Sequence, residues 1–238
     1  MKYFITSAAA AAALAVMGVG IWLSMGGLWW RAVVYAALCI IFFPLASILH
    51  ELGHKFFGLF GGMKVKLGKF ALFTPSSCAI APKSAKNIKC GFVLTACGGL
   101  VVNLLFAAAG IVCLFFGKDA ALASFIAPSS LYLLMINAAP TGLGSDATDM
   151  QMIASVVKNT AEWQVLERAL TIQGMIACGI PIEEIDEKTF FSVPQIPEYE
   201  PAFIMLVSLR ADYYAAKGEE ENAKKWSERF AGLKNEYL

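Results

Sequence analysis

Histidine is nearly absent from this chain. There are two in 238 residues, and both fall in the stretch His50-Glu51-Leu52-Gly53-His54. That scarcity excludes a histidine-rich metal site anywhere else. Acidic residues are just as rare in the first 145 positions, where Glu51 and Asp119 stand against ten Lys/Arg, whereas residues 146–238 hold sixteen acids against nine bases. No CxxC spacing occurs among Cys39, Cys78, Cys90, Cys97, Cys113 and Cys178, and three of these lie inside apolar runs, which speaks against a disulfide framework or a cysteine zinc site. The lysines cluster between apolar runs with no recognition motif around them, which argues against nucleic acid as a partner. Charged residues make up only 16% of the chain against 58% hydrophobic, too apolar for an ordinary soluble domain.

What is present is a pattern with a mechanism. On a helix, positions i and i+4 share a face, so His50 and His54 can reach one metal ion while Glu51 stands beside it. Zinc bound by two imidazoles needs a third protein ligand and an open position for water, and the adjacent carboxylate can serve as general base. The run from Ala32 to Leu49 carries no formal charge and leads straight into His50, which places the motif toward one end of a membrane span. An ionisable group in such a setting is expensive, which marks Glu51 as functional.

Four spans are expected. The first covers residues 4–25, longer than a signal h-region and read as retained. The second runs from about Trp29 to Phe60, with Trp29 and Trp30 as an interfacial belt and Pro44 as either a site where the helix opens or an ordinary tolerated membrane proline, which fit equally. Residues 61–89 carry six lysines and no acid, which makes this loop cytoplasmic by the positive-inside rule. Its first half alternates, with Met63, Val65 and Leu67 on one face and Lys64 and Lys66 on the other, as a strand does. The third span runs from about Gly91 to Phe116 and the fourth from Ala121 to about Ala139. Asn103 is the one amide in span three, where an interhelical hydrogen bond and a part in the chemistry fit equally. The resulting topology puts both termini in the cytoplasm, with His50 and His54 near that face and Asp119 on the other.

With no further histidine, the third ligand has to be a carboxylate or a thiolate. Asp146 and Asp149 are the acids that reach the right face, and a helix starting near Ser145 would set them on one side of it. HELGH on the second span, an asparagine in a glycine-containing third span, and Asn137-Ala-Ala-Pro140 followed by Gly144-Ser145-Asp146 resemble the site-2 protease family of intramembrane zinc metalloproteases. The resemblance covers about residues 30–150. It implies His50, His54 and Asp146 as zinc ligands, Glu51 as general base, and Asn103 as a residue that positions substrate or stabilises the oxyanion. Span three lacks the family's proline before Asn103, and Ser145-Asp146-Ala147 keeps only the aspartate of its Leu-Asp-Gly.

The expected fold is thus an all-α polytopic membrane protein with about four transmembrane helices, a short basic β-like loop and a C-terminal helical cytoplasmic domain. Residues 1–28 form the first segment, 29–150 the metalloprotease core and 151–238 the cytoplasmic part. The expected activity is zinc-dependent hydrolysis of peptide bonds in or near transmembrane segments of membrane proteins in the cell membrane. The alternative is an inactive relative acting as a membrane scaffold. A transporter would want polar residues in several spans, and these have few. In the tail, Leu209 to Ala223 resembles the turn of a tetratricopeptide hairpin, which suits a helical hairpin or a protein-partner site, and Trp163 and Trp226 are expected to fill its core.

Overall fold

The computed structural model describes residues 2–68, 78–142 and 147–237. Among the described residues the chain is mostly helical with one small two-stranded sheet. Four stretches of them are long and apolar enough to cross a membrane: Tyr3–Met25, Trp29–Phe60, Ile88–Cys113 and Lys118–Ala138. The first three are the helices α1 (Lys2–Met25), α2 (Trp29–Phe60) and α3 (Ile88–Cys113). The fourth is composite, with α4 (Lys118–Leu122) passing through a 3-10 turn at Ala123–Phe125 into α5 (Ile126–Ala138). Span three opens at Ile88, three residues before the expected Gly91. Asn87 sits at φ 56°, a left-handed conformation no helix can continue through, and so fixes that boundary. Pro44 does not open α2, which stays helical over its 32 residues.

Small residues bring α2 and α3 together. A Cβ on Gly53 would lie 2.5 Å from the Gly98 carbonyl oxygen, and one on Gly61 2.8 Å from that of Gly91. Any side chain there would force the backbones apart. Tyr35 on α2 hydrogen-bonds Ser124 at 2.8 Å, and Arg31 pairs with Asp119 at 2.6 Å, so the start of α2 is tied to the start of the fourth span. Outward faces are apolar: Trp22, Ile40, Ile41, Leu105 and Phe115 are all more than half exposed. Surface of this kind suits a hydrocarbon surround rather than water.

Between α2 and α3, the expected strand is β1 (Met63–Leu67), and it has an antiparallel partner, β2 (Cys78–Pro82), registered from Met63 opposite Pro82 to Leu67 opposite Cys78. Met63 at the root of the hairpin is buried with Ile88, Phe92, Trp163 and Leu170. The tail begins with α6 (Asp149–Lys158) and α7 (Ala161–Ala177), separated by Asn159 in the left-handed conformation and Thr160 as N-cap. After a 3-10 turn at Ile182–Glu184 come α8 (Glu187–Phe191), α9 (Pro201–Ala216) and α10 (Glu220–Tyr237). The pair α9–α10 is the helical hairpin expected from Leu209 to Ala223. Val165, Ile172, Phe190, Leu206 and Tyr213 form its apolar core with α7. Trp163 is fully buried and packs on Phe92. Trp226 is partly buried against Ile204, Val207 and Leu233 and also lies on the Arg210 guanidinium, which donates to the Phe190 carbonyl.

Candidate metal centre

His50, Glu51 and His54 all lie on the last three turns of α2 and are all buried, with 3–6% of their surface exposed. Their ligand atoms lie within 4.8 Å of one another, so the group could hold a metal ion. Each ring is held from behind by α3. His54 Nδ1 is 2.8 Å from the Thr95 carbonyl oxygen, which can only accept, so Nδ1 carries the proton and the lone pair is on Nε2. The Thr95 hydroxyl is itself engaged by the Gly91 carbonyl. Gly99 makes room for the His50 ring, into which any Cβ at that position would run.

Asn103 is 1% exposed, and its amide is 2.8 Å from His50 Nδ1. The amide nitrogen faces Nδ1, which makes Nδ1 the acceptor. A half-turn of the amide brings Oδ1 there instead, lets Nδ1–H donate and leaves the Nε2 lone pair for a cation. Asn103 therefore meets a histidine from behind, where it orients the ring. The resemblance implies a contact with substrate or oxyanion, and in the structure the amide's partner is His50.

The carboxylate that faces both of these rings is Asp149, at the first position of α6. Asp149 Oδ2 is 3.4 Å from His50 Nε2, Oδ1 is 3.4 Å from His54 Nε2, and the two Nε2 atoms are 3.1 Å apart. Asp146 lies outside the described residues. Thr148 explains how Asp149 is delivered. Its hydroxyl donates to the Ala139 carbonyl at 2.6 Å, accepts from Gln151 N as the N-cap of α6 and from Thr141 N, and its own N–H bonds the Thr141 carbonyl. The end of α5 and the start of α6 are thereby clasped at one residue, directly before Asp149. The helix starts after Thr148, not near Ser145.

The donor set fits a metal ion by two tests. The first is spacing: a tetrahedral ion with bonds of about 2.0–2.1 Å holds its donors about 3.3 Å apart, and the 3.1 Å between the two Nε2 atoms and the 3.4 Å from each to one or other Asp149 oxygen are of that size. The second is charge. Asp149 is buried and its Oδ2 has no hydrogen-bond donor, while its Oδ1 faces the His54 Nε2 lone pair. Acceptor facing acceptor in a buried site calls for a cation between them. Without one, burial pushes the Asp149 carboxyl up to about 6, with His54 pulling it down and Glu51 pushing it further up. Cys78 on β2 completes the surroundings: burial first, then the Glu51 charge, hold its thiol up at about 12, protonated at neutral pH.

Asp119 is at the far end of the bundle with Arg31, away from these groups. Asp149 was legible in the sequence as one of two acids left by elimination, and a Thr-Asp pair opening an amphipathic run is a helix-start signal. Thr95 carried no such signal, since it meets His54 through a contact between distant segments. Comparison with family models, with curated proteins and with solved structures found no match.

Proposed function

We propose that this protein is a membrane-embedded metalloendopeptidase of the site-2 protease type, which hydrolyses a peptide bond in or near a transmembrane segment of another protein. The observation that carries the proposal is the buried His50–His54–Asp149 constellation at tetrahedral spacing, with Glu51 beside it, near the end of a long apolar helix. Two nitrogens and a carboxylate oxygen in that arrangement suit zinc. A zinc ion held there would supply Lewis acidity toward the scissile carbonyl and the attacking water.

The chain's own residues do the rest. Thr95 and Asn103 fix the two imidazole rings so that both Nε2 atoms face one point. Glu51, adjacent in sequence to one ligand and buried with it, takes the proton from water and passes it to the leaving amine. The apolar walls keep bulk water from the charged groups, which strengthens every electrostatic contact among them. The six lysines of residues 61–89 support a cytoplasmic position for this end of α2 by the positive-inside rule.

The test is the metal content of detergent-purified protein, wild type against His54→Ala, Asp149→Asn and Asp146→Asn. About one zinc per chain is expected in the wild type and its loss in His54→Ala and Asp149→Asn. Wild type that is folded yet takes up no metal would end the peptidase reading.

A further inference from the structure

We propose that the groove between α3 and α6 is a binding site for one anionic phospholipid of the cytoplasmic leaflet, with its headgroup at Lys89 and an acyl chain along the apolar wall below. The inference rests on the membrane-spanning reading of the apolar helices and is independent of the peptidase reading. The groove has a volume of about 600 Å³, and Val93, Leu94 and Cys97 of α3 line it together with Val156 and Val157 of α6. Lys89 is the one charged group on its lining among the described residues. Val157 is 77% exposed. An apolar wall left open in this way calls for an apolar cover.

The two helices give the groove a direction. Val156 clusters with Ile88 and Phe92 near the start of α3, whereas Asp149 reaches the histidines that Thr95 and Asn103 hold further along it. Helix α6 therefore runs back along α3, and Lys158 in its last turn belongs to the same end of the groove as Lys89 in the first turn of α3. Both cations are exposed. The positive-inside rule assigns that end to the cytoplasmic interface. From Lys89 to Cys97 the wall extends about 12 Å, against about 15 Å for one leaflet of an ordinary hydrocarbon core. A transmembrane helix would need a wall of about 30 Å, whereas one acyl chain needs a single leaflet's depth. Length thus selects a lipid over a substrate span. The charge at the mouth selects an anionic headgroup, which the cytoplasmic leaflet supplies. A chain lying against both helices fastens the Val156 end of α6, as Thr148 fastens the Asp149 end.

The experiment titrates the full chain in mild detergent with phosphatidylglycerol, or with phosphatidylcholine of the same chains, and counts bound lipid by native mass spectrometry. One phosphatidylglycerol is expected to bind about fivefold more tightly than phosphatidylcholine, the worth of one lysine at an anionic surface, and to raise the unfolding temperature. Lys89→Glu is expected to abolish that preference with the unfolding temperature in detergent alone unchanged. Val157→Trp, which fills the groove from an exposed position, is expected to weaken both lipids several-fold. Lys225→Glu, an exposed change on α10, is expected to alter neither. Equal affinity for the two lipids overturns the proposal, as does a Lys89→Glu protein that keeps the preference or a Val157→Trp protein that binds as wild type does. Wild type that ignores both lipids and takes up an apolar helical peptide, blocked by Val157→Trp, would make the groove a substrate seat instead. A chain that stays monodisperse without detergent would remove the membrane reading on which the site rests. Phosphatidylglycerol bound through Lys89 in a protein that takes up no metal would keep this site and end the peptidase reading.

Discussion

At the scale of single residues, the ligand set turns on which carboxylate meets the two imidazoles. The resemblance points to Asp146 and the geometry to Asp149, and the paired variants above separate them. A pH dependence follows from the burial of Asp149. Its carboxyl is raised to about 6 in the metal-free state, so a proton must leave before a metal can be held there. Below about pH 6 the proton competes, and apparent metal affinity falls as pH falls through that value; above it the carboxylate is already ionised and affinity levels off as far as this group is concerned. Metal titrations at pH 5, 6, 7 and 8 read this directly, and an affinity flat across that range would remove Asp149 from the set. Glu51→Gln is expected to keep the metal and lose about 10²–10⁴-fold in turnover, the usual worth of a general base. Asn103→Ala is expected to weaken metal binding by about 10–100-fold, the usual effect of removing a residue that orients a ligand. An effect on turnover with metal affinity intact would place Asn103 at the substrate instead.

Elements show where sequence reading succeeds and where it stops. The helix α2, its apolar run and its motif were legible because periodicity and chemistry coincide there. So was β1, whose Met63-Lys64-Val65-Lys66-Leu67 alternates in charge. Its partner β2 was not, because Cys78-Ala-Ile-Ala-Pro82 has no polar alternation and pairs through a backbone register that leaves no mark on composition. Two element-level outcomes are testable. Gly53→Ala drives a Cβ into the Gly98 carbonyl and is expected to cost about 1–3 kcal/mol by overpacking, seen as a lowered unfolding temperature in detergent. Thr148→Val removes the α6 N-cap and the tie to Ala139, costs about 1 kcal/mol, and loosens Asp149 so that metal affinity falls with the fold retained.

For the whole molecule, the tail is more closely joined to the core than its change in composition suggests. Residues 1–145 are poor in acids and residues 146–238 rich in them. The two stretches nevertheless touch, since Asp149 sits on the α2 histidines and Trp163 on Phe92. Composition reports which solvent a segment meets and is silent on which neighbour it leans against. The proposed orientation predicts that exposed Cys178, close to Lys83, reacts with a membrane-impermeant maleimide in inverted vesicles and not in intact cells. The reverse pattern would turn the whole topology over.

Because α2 runs unbroken through Pro44, it is a ruler as well as a scaffold. Its 32 residues extend about 48 Å, against about 30 Å of hydrocarbon in an ordinary bilayer. With Trp29 and Trp30 anchored at one interface, His50 is carried about 31 Å along, which is the depth of the opposite interface. On the proposed peptidase reading, helix length would then set the depth of the chemistry, and bonds at the margin of a neighbouring span, rather than at its midpoint, would be the ones within reach.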